Sequence, residues 1–358
     1  MSLAFNPTTK LVILFHLVYL VSNLNFVFSV SKKKSNFAAN VMIEALFHLA
    51  KSKNDMTKLA QYLVPKDKIA ICSCARKISK EDLFPAMEVL RNHGFEVILG
   101  NSIGAEANQF AGSDKERAED LQQMIDNPEI KAVLFARGGY GAVRILDKVD
   151  FSSLETNPKW LIGYSDMTAV LSHIYFKHNV SGLHASMPVD LLSGDEGIEC
   201  FEYMLECLKG NHKTFDCNSA MECSDMEFEG EMIGGNLSVL YSLLGSESFG
   251  ETTNKILFLE DLDEYLYHID RMMQALKRAG KLSNLKALVV GSFSQMHDNT
   301  IPFGQTAYEI IASCVEEYNY PKVFGVNIGH EKGKNIPIVI GKNTRIQIKN
   351  NIISIEQL

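Results

Sequence analysis

The sequence lacks an excess of basic residues. Its 358 residues include 35 Lys and Arg against 43 Asp and Glu, which gives a formal net charge of −8 at pH 7. Nucleic-acid-binding proteins usually present a basic field to the phosphate backbone, and no basic stretch interleaved with aromatic residues occurs in this chain. We therefore expect no nucleic-acid partner.

A metal-binding or disulfide pattern of cysteines is also missing. The seven cysteines are an odd number, and none forms a CxxC pair or a Cys/His set with the spacing of a zinc site. Such an irregular set favours free thiols in a reducing compartment over a disulfide framework. No histidine follows the HExxH spacing of a metallopeptidase, so the sequence gives little support for a metal site.

One long hydrophobic run is present, at residues 11–30, with Lys10 before it and lysines at 32–34 after it. The run is just long enough to span a bilayer, and the heavier positive charge on its C-terminal side would keep the rest of the chain in the cytoplasm. A secretory signal peptide fits less well, because no small-residue cleavage site follows. We favour a third interpretation, in which translation starts at Met56, so a membrane is a partner only if residues 11–30 act as an anchor.

From Pro65 onward, short apolar runs alternate with amphipathic stretches. Strands are predicted at Lys68–Cys72, Phe95–Leu99, Lys131–Phe135 and Trp160–Tyr164, and helices at Glu81–His93 and Ala118–Ile125. Strands that alternate with helices predict an α/β fold whose parallel sheet is covered on both faces.

The rhythm changes after about Gly182. Residues 209–229 are polar, and the second half is predicted to contain strands at 256–259, 285–290 and 322–326, helices at 265–279 and 303–315, and a terminal hairpin. We therefore divide the chain into an extension at 1–62, an α/β domain at 63–182, a linker at 183–229 and a second domain at 230–358.

Ser165 follows the apolar strand WLIGY, and Asp166 at once begins an amphipathic helix. This strand–turn–helix context is that of a nucleophile elbow, in which the turn exposes a hydroxyl and the helix start directs free N–H groups at a developing oxyanion. The run Gly163–Met167 departs from G-x-S-x-G at its last position. Capping of the helix by Ser165 and Asp166 is the competing interpretation.

A glycine-rich turn, ARGGYG at residues 136–141, follows the strand KAVLF. Glycines at the C-terminal end of a strand let the backbone approach a ligand closely, at the edge where open α/β sheets bind ligands. The run lacks both G-x-G-x-x-G and a P-loop lysine, so a nucleotide-phosphate loop is disfavoured. Donation of an oxyanion N–H is the functional interpretation, and a plain tight turn is the alternative.

Two further features carry ionisable groups. The strand ILFL is followed by Glu260 and Asp261, and GVNIG is followed by His330. One carboxylate could orient an imidazole, or the two acids could bind a metal or act as acid and base. Solvated acids after a strand and a structural histidine are the alternatives.

Five stretches, taken in order, resemble the LD-carboxypeptidase (muramoyltetrapeptide carboxypeptidase) family of serine peptidases. They are ARGGYGAVRIL, PKWLIGYSDMTAVL, EGEMIGGNLSVL, ILFLEDLDEYLYHIDRMMQALKRAGKL and GVNIGHEKGKNIPIVIG. Each stretch is weak alone, whereas five in the family order are specific. The resemblance runs from about Pro65 to Leu358 and implies an N-terminal Rossmann-like parallel-sheet domain plus a smaller C-terminal α/β domain, with the active site between them.

The resemblance also implies a catalytic triad of Ser165, Glu260 and His330. In it, His330 accepts the serine proton, and Glu260 orients the imidazole and stabilises its charged form. No metal or cofactor is implied.

The remaining site residues are likewise implied by the resemblance. Oxyanion donors are expected in the backbone N–H groups of Asp166 and of Gly138 and Gly139. Binding of a free substrate carboxylate requires a cation or a cluster of N–H groups, for which the candidates are Arg137, Gly235 and Asn236.

The implied reaction is hydrolysis of the bond between L-lysine or diaminopimelate and a terminal D-alanine in murein tetrapeptides. We expect a cytoplasmic homodimer that serves peptidoglycan recycling. A sister branch of the family hydrolyses microcin C and related aminoacyl-nucleotides and stacks the base on a tryptophan. The single tryptophan here, Trp160, lies inside a predicted strand, which disfavours that branch. The second alternative is a non-catalytic α/β module that binds a small ligand.

Overall fold

Two β-sheets organise residues 57–358, the part of the chain that this computed structural model describes. The apolar run at residues 11–30, and with it the choice between a membrane anchor and a later translation start, lies outside the described residues. Within residues 57–358, no helix combines the length and the apolar character needed to cross a membrane. All seven cysteines belong to this part of the chain, and all are free thiols.

The first sheet is built mainly from parallel strands. Its strands are β1 (Lys68–Cys72), β2 (Glu96–Leu99), β3 (Ile130–Phe135), β4 (Trp160–Gly163), β5 (Leu183–His184) and β11 (Ile338–Val339), in the order β11-β5-β4-β3-β1-β2. The pairs from β5 to β2 are parallel, and the late strand β11 adds to β5 in the antiparallel direction. The predicted parallel sheet is confirmed.

Helices cover both faces of this sheet, as the near-continuous apolar character of its strands requires. They are α1 (Phe84–Asn92), α2 (Asp114–Asp126), α3 (Thr168–His178) and α4 (Asp195–Leu208). Alternate strand residues point to opposite faces, so Leu161 packs in the core with α2 and α3, whereas Trp160 packs with α1 and α4.

The second sheet is mixed. Its strands are β6 (Phe215–Asn218), β7 (Met226–Asn236), β8 (Ile256–Leu262), β9 (Ala287–Ser294), β10 (Lys322–Phe324), β12 (Lys342–Lys349) and β13 (Ile352–Gln357), in the order β10-β9-β8-β7-β12-β13-β6. The half from β10 to β7 is parallel, and the half from β7 to β6 is antiparallel. The predicted terminal hairpin is the pair β12–β13.

The helices of the second half are α5 (Leu237–Ser242), α6 (Leu266–Arg278) and α7 (Ala307–Cys314). Helix α7 starts four residues later than the predicted boundary at 303, because Thr306 caps it. The Thr306 hydroxyl accepts from the Glu309 backbone N–H, and the Glu309 carboxylate accepts from the Thr306 backbone N–H.

The interval expected to be a linker, residues 183–229, carries regular structure. It contains β5 of the first sheet, helix α4, β6 of the second sheet and the start of β7. The chain therefore passes from one sheet to the other through a buried amphipathic helix. Because β11 later returns to the first sheet, the two halves are connected by more than this one crossing.

Candidate active site

Ser165 lies in a strained turn between β4 and α3. Its φ of +61° is in the left-handed region, which is uncommon for a residue other than glycine and marks functional turns. Residues 165–167 form one turn of 3-10 helix that leads into α3. The strand, the strained serine and the following helix reproduce the elbow geometry that exposes a nucleophile.

The competing interpretation, a capped helix, does not describe this turn. No side chain caps the start of either helical segment. The carboxylate of Asp166 instead accepts from the backbone N–H of Ala142 at 2.8 Å, which ties the elbow to the glycine-rich turn. Burial raises the pKa of Asp166, and hydrogen bonds from the backbone oppose that rise.

The glycine-rich turn packs directly on the serine. A Cβ atom added to Gly138 would lie 2.9 Å from both Cβ and Oγ of Ser165, closer than real Cβ contacts come. The next residue, Gly139, has φ +115°, which side chains rarely adopt. The backbone N–H groups of Gly138 and Gly139 have no acceptor within residues 57–358. The turn therefore needs glycine at both positions, for space at the first and for conformation at the second.

Glu260 and His330 form a buried ion pair beside this elbow. Nδ1 of His330 lies 2.6 Å from Oε2 of Glu260, with the carboxyl side chain fully buried and the imidazole 10% exposed. The sequence suggested that β8 ends before the two acids. In fact β8 continues through Glu260 and Asp261, both of which are buried, so the interpretation as solvated acids is wrong.

The backbone around the pair is shaped to bring it together. The register between β8 and β9 shifts between Leu259 and Asp261, which places a bulge at Glu260. On the loop that carries His330, Gly329 has φ +124°, and a Cβ added there would lie 2.8 Å from Oε2 of Glu260. Only glycine lets this loop approach the carboxylate closely enough for the hydrogen bond.

The two groups shift each other's pKa. Burial is the largest single influence on His330 and lowers its pKa. The charge of Glu260, the hydrogen bond to it and the charges of Asp261 and Asp190 together outweigh burial, so the pKa of His330 is raised above its usual value. Burial alone raises the pKa of Glu260, but the positive charge of His330 and the hydrogen bond to it lower the pKa overall. The pair therefore favours a carboxylate facing an imidazole that readily accepts a proton.

Ser165 and His330 open onto the same cleft, a cavity of about 400 Å³. Its lining also includes the predicted residues Arg137, Gly138, Gly139, Asp166 and Asn236. Glu260 lies behind His330, out of the cleft. The structure thus brings residues from both halves to one cavity: Ser165 follows β4 of the first sheet, and Asn236 and Asp261 lie on β7 and β8 of the second.

Gly235 and Asn236 have a mainly structural position. A Cβ on Gly235 would lie 2.6 Å from the Thr168 side chain, so Gly235 lets β7 pack on the start of α3. The side-chain carbonyl of Asn236 accepts from the Val239 backbone N–H and so caps α5, and the side-chain amide donates to Asp261 at 2.8 Å. Asp261 also accepts from the Ser238 backbone N–H at 2.9 Å. Its burial, and to a smaller extent the negative charge of Glu260, raise the pKa of Asp261 to about 7.

Several residues of the site had no local signal in the sequence. The Tyr164 ring lies 4.7 Å from the His330 ring, and its hydroxyl donates to Asp190 at 2.9 Å. Burial raises the pKa of both Tyr164 and Asp190. Arg76, from the turn after β1, also lines the cleft. Only Tyr164 had a possible clue, its place in the elbow motif.

Nowhere in residues 57–358 do three or more His, Cys, Asp or Glu side chains form a group that could hold a metal.

Comparison with known proteins places this geometry in a family. Residues 69–185 match the sequence profile of the LD-carboxypeptidase N-terminal domain, and residues 229–346 match that of the C-terminal domain. A probable murein peptide carboxypeptidase of Bacillus subtilis is 32% identical over 278 residues, 74% of this chain and 84% of that protein. The microcin C7 self-immunity protein of Escherichia coli is 26% identical over 310 residues, 78% of this chain and 89% of that protein.

The fold is similar to that of solved structures as well. The crystal structure of muramoyltetrapeptide carboxypeptidase from Oxalobacter formigenes superposes with a TM-score of 0.74 at 27% identity, over 81% of this chain and 98% of that one. Both family profiles, the relative of 32% identity and the fold agree. The chain belongs to the LD-carboxypeptidase family of serine peptidases.

Proposed function

We propose that this protein is a serine carboxypeptidase that releases terminal D-alanine from murein tetrapeptides, with Ser165, His330 and Glu260 as its catalytic triad. One observation carries the proposal: a strained serine shares a cleft with an imidazole whose other nitrogen faces a fully buried carboxylate. That is the arrangement by which a serine hydroxyl becomes a nucleophile.

In the first half of the reaction, Oγ of Ser165 attacks the carbonyl carbon before the terminal D-alanine, and its proton passes to Nε2 of His330. The imidazolium gives that proton to the departing amine as the carbon–nitrogen bond breaks, which leaves an acyl group on Ser165. In the second half, water attacks the acyl carbon and loses a proton to His330. The proton then returns to Ser165, and the tripeptide acid leaves.

The oxyanion formed in both halves is assigned to backbone N–H groups of Gly138, Gly139 and Asp166. The close packing of Gly138 on the serine and the unpaired N–H groups of the glycine turn support this assignment. Each preorganised donor of this kind contributes about 3–4 kcal/mol to transition-state stabilisation.

The peptide substrate is favoured over an aminoacyl-nucleotide by the aromatic residues. Trp160 is fully buried, and its indole N–H donates to the Gln61 carbonyl at 2.9 Å, so it is not free to stack on a base. The phenol ring of Tyr164 lines the cleft but is 8% exposed and is fixed by Asp190. The cleft thus offers a poor stacking surface to a base.

A D-alanine release assay tests the proposal. The wild-type protein is incubated with a tetrapeptide that carries L-lysine or diaminopimelate before D-alanine, and in parallel with an aminoacyl-adenylate analogue. We expect D-alanine release that persists with a chelator and is abolished in Ser165→Ala, whereas Ser242→Ala, an exposed serine of α5, retains it. Hydrolysis of the adenylate alone would favour the sister activity, and turnover of neither would favour a binding module.

A cytoplasmic location and a role in recycling of wall peptides follow from the same proposal, since tetrapeptides taken up from the wall would be the substrate. We also propose a homodimer, which sedimentation of the purified protein would reveal.

A further inference from the structure

Two arginine side chains line the cleft without a carboxylate partner. Arg76 makes no side-chain hydrogen bond or ion pair within residues 57–358. Arg137 donates from Nη1 to the Lys77 carbonyl at 3.3 Å, and its buried Nε has no acceptor. A buried guanidinium N–H without an acceptor is costly, so an anion that enters the cleft and accepts from this group would remove that cost.

The acids near the cleft are already engaged. Asp263 pairs with His297 at 2.6 Å, and Glu264 pairs with His268 at 3.0 Å. Asp261 accepts hydrogen bonds from Asn236 and from backbone N–H groups. Asp82, whose charge raises the pKa of Arg137, accepts from Ser79 and forms no ion pair with the arginine. Asp166, which also lines the cleft and whose pKa the charge of Arg76 lowers, accepts from the Ala142 backbone N–H and forms no ion pair with the arginine. Within residues 57–358, therefore, no carboxylate forms an ion pair with either arginine.

The two guanidinium groups also act on each other. Burial and then the positive charge of Arg76 lower the pKa of Arg137, so each arginine is within electrostatic reach of the other. Like charges held near each other without an ion-paired carboxylate destabilise the free protein, and an anion bound between them reduces that cost.

Arg76 is held in place beside the nucleophile. Its backbone carbonyl accepts from the buried hydroxyl of Ser73 at 2.6 Å, and its own side chain lies on Gly139, where an added Cβ would come within 2.6 Å of Cγ and Cδ. The preceding residue, Gly138, packs on Ser165. Consecutive Cα atoms are about 3.8 Å apart, so the arginine and the serine flank neighbouring residues of one turn.

We propose that Arg76 and Arg137 together bind the α-carboxylate of the terminal D-amino acid that leaves in the reaction. The inference rests on the proposed function and adds the residues that make the enzyme an exopeptidase. In a peptide, the terminal carboxylate carbon lies about 3–4 Å from the scissile carbonyl carbon, so its binding site has to be next to the nucleophile. Guanidinium groups bind carboxylates through paired, charge-assisted hydrogen bonds.

Matched acid and amide substrates test this assignment. The proteins are the wild type, Arg76→Gln, Arg137→Gln and the double variant, and the substrates are a murein tetrapeptide and the same peptide with a terminal carboxamide. Each single change should lower kcat/KM for the acid by about 10- to 100-fold, mainly through KM. Turnover of the amide should stay within a few-fold, so that the preference for the acid collapses.

Arg91→Gln is the matched control, because it removes the same charge from the exposed end of α1, away from the cleft lining. It should leave both substrates unaffected. If the arginine variants keep the wild-type ratio of acid to amide turnover, the assignment is overturned, whereas the proposed function stands on the wild-type D-alanine release.

The anion could also be the phosphate of an aminoacyl-nucleotide. If the arginine changes impair only an aminoacyl-adenylate analogue, the site binds phosphate and the assignment fails. Calorimetric binding of the acid and the amide to Ser165→Ala gives a readout independent of turnover. Equal affinity of this variant for the two peptides would overturn the carboxylate site even in a protein without measurable activity.

Discussion

Replacement of Glu260 by glutamine removes one charge from the buried pair while the volume of the side chain is kept. Oε2 of Glu260 lies 2.6 Å from His330 Nδ1 and is shielded from solvent, and Oε1 has no partner among the described residues. When His330 accepts the Ser165 proton, it becomes an imidazolium that the wild-type carboxylate stabilises. In Glu260→Gln that charge forms in a buried site without a counter-charge.

The size of the effect follows from the geometry. Two unit charges about 4 Å apart interact by ~4 kcal/mol at an effective dielectric constant of about 20. Loss of that stabilisation in the transition state corresponds to about a 1,000-fold decrease in kcat, and a glutamine amide that donates to Nδ1 would hold the wrong tautomer and increase the loss. KM should change little, because Glu260 does not line the cleft.

Steady-state release of D-alanine measures this change, with a thermal melt to show that the fold persists. Glu264→Gln is the matched control, since it makes the same chemical change four residues further along and lies on the cleft without contact to His330. It should keep kcat within a few-fold of the wild type. A Glu260→Gln protein that retains more than about a tenth of wild-type kcat would refute the role of the ion pair.

Three more results are expected. In the pH profile of kcat/KM, the midpoint of the acid limb should lie above about pH 6.5, because His330 must be neutral to accept a proton and its pKa is raised. A midpoint below that value would contradict the ion pair of His330 with Glu260. Gly138→Ala should lower kcat by at least about 100-fold through its clash with Ser165, since a small displacement of a nucleophile is enough. Gly245→Ala has open space for its methyl group but a φ of +84° that strains alanine, so this control should lose some stability and keep its kcat. Equal kcat values for the two folded variants would refute the close packing of Gly138 on Ser165. Burial lowers the pKa of Lys159 to about 8, below its value in the unfolded chain. Between about pH 8 and pH 10 the unfolded chain therefore binds more protons, and the free energy of unfolding should increase with pH. Denaturation of Lys159→Met across this range should show a smaller increase, and the same pH dependence in both proteins would count against the lowered pKa.

The strands that build the first sheet could be predicted closely. β1 has the predicted bounds, and β3 and β4 differ by one residue at one end. These strands are apolar on both faces, and this pattern is local, so a single sequence contains it. The elbow at Ser165 and the glycine turn were also visible, because a strand, a turn and a helix follow each other directly in the chain.

The connection at residues 183–229 was harder to predict, because its strands do not show a local pattern in the sequence. β5 has two residues, and β11, which pairs with it, lies more than 150 residues later in the chain. No hydrophobic period can be recognised in two residues. Their strand character comes from hydrogen bonds to distant neighbours, so tertiary structure overrides local propensity.

The sequence by itself determined the apolar strands, the elbow that carries Ser165 and the glycines that make room beside it, because each depends on neighbours along the chain. The tertiary structure decided that Glu260 is a buried partner of His330 rather than a solvated acid, since its burial comes from the strands on either side of β8. It also decided that Arg76 and Arg137 meet at one cleft. Charges that are far apart in the chain shift each other's pKa and bind a common ligand only once folding has brought them within a few ångströms.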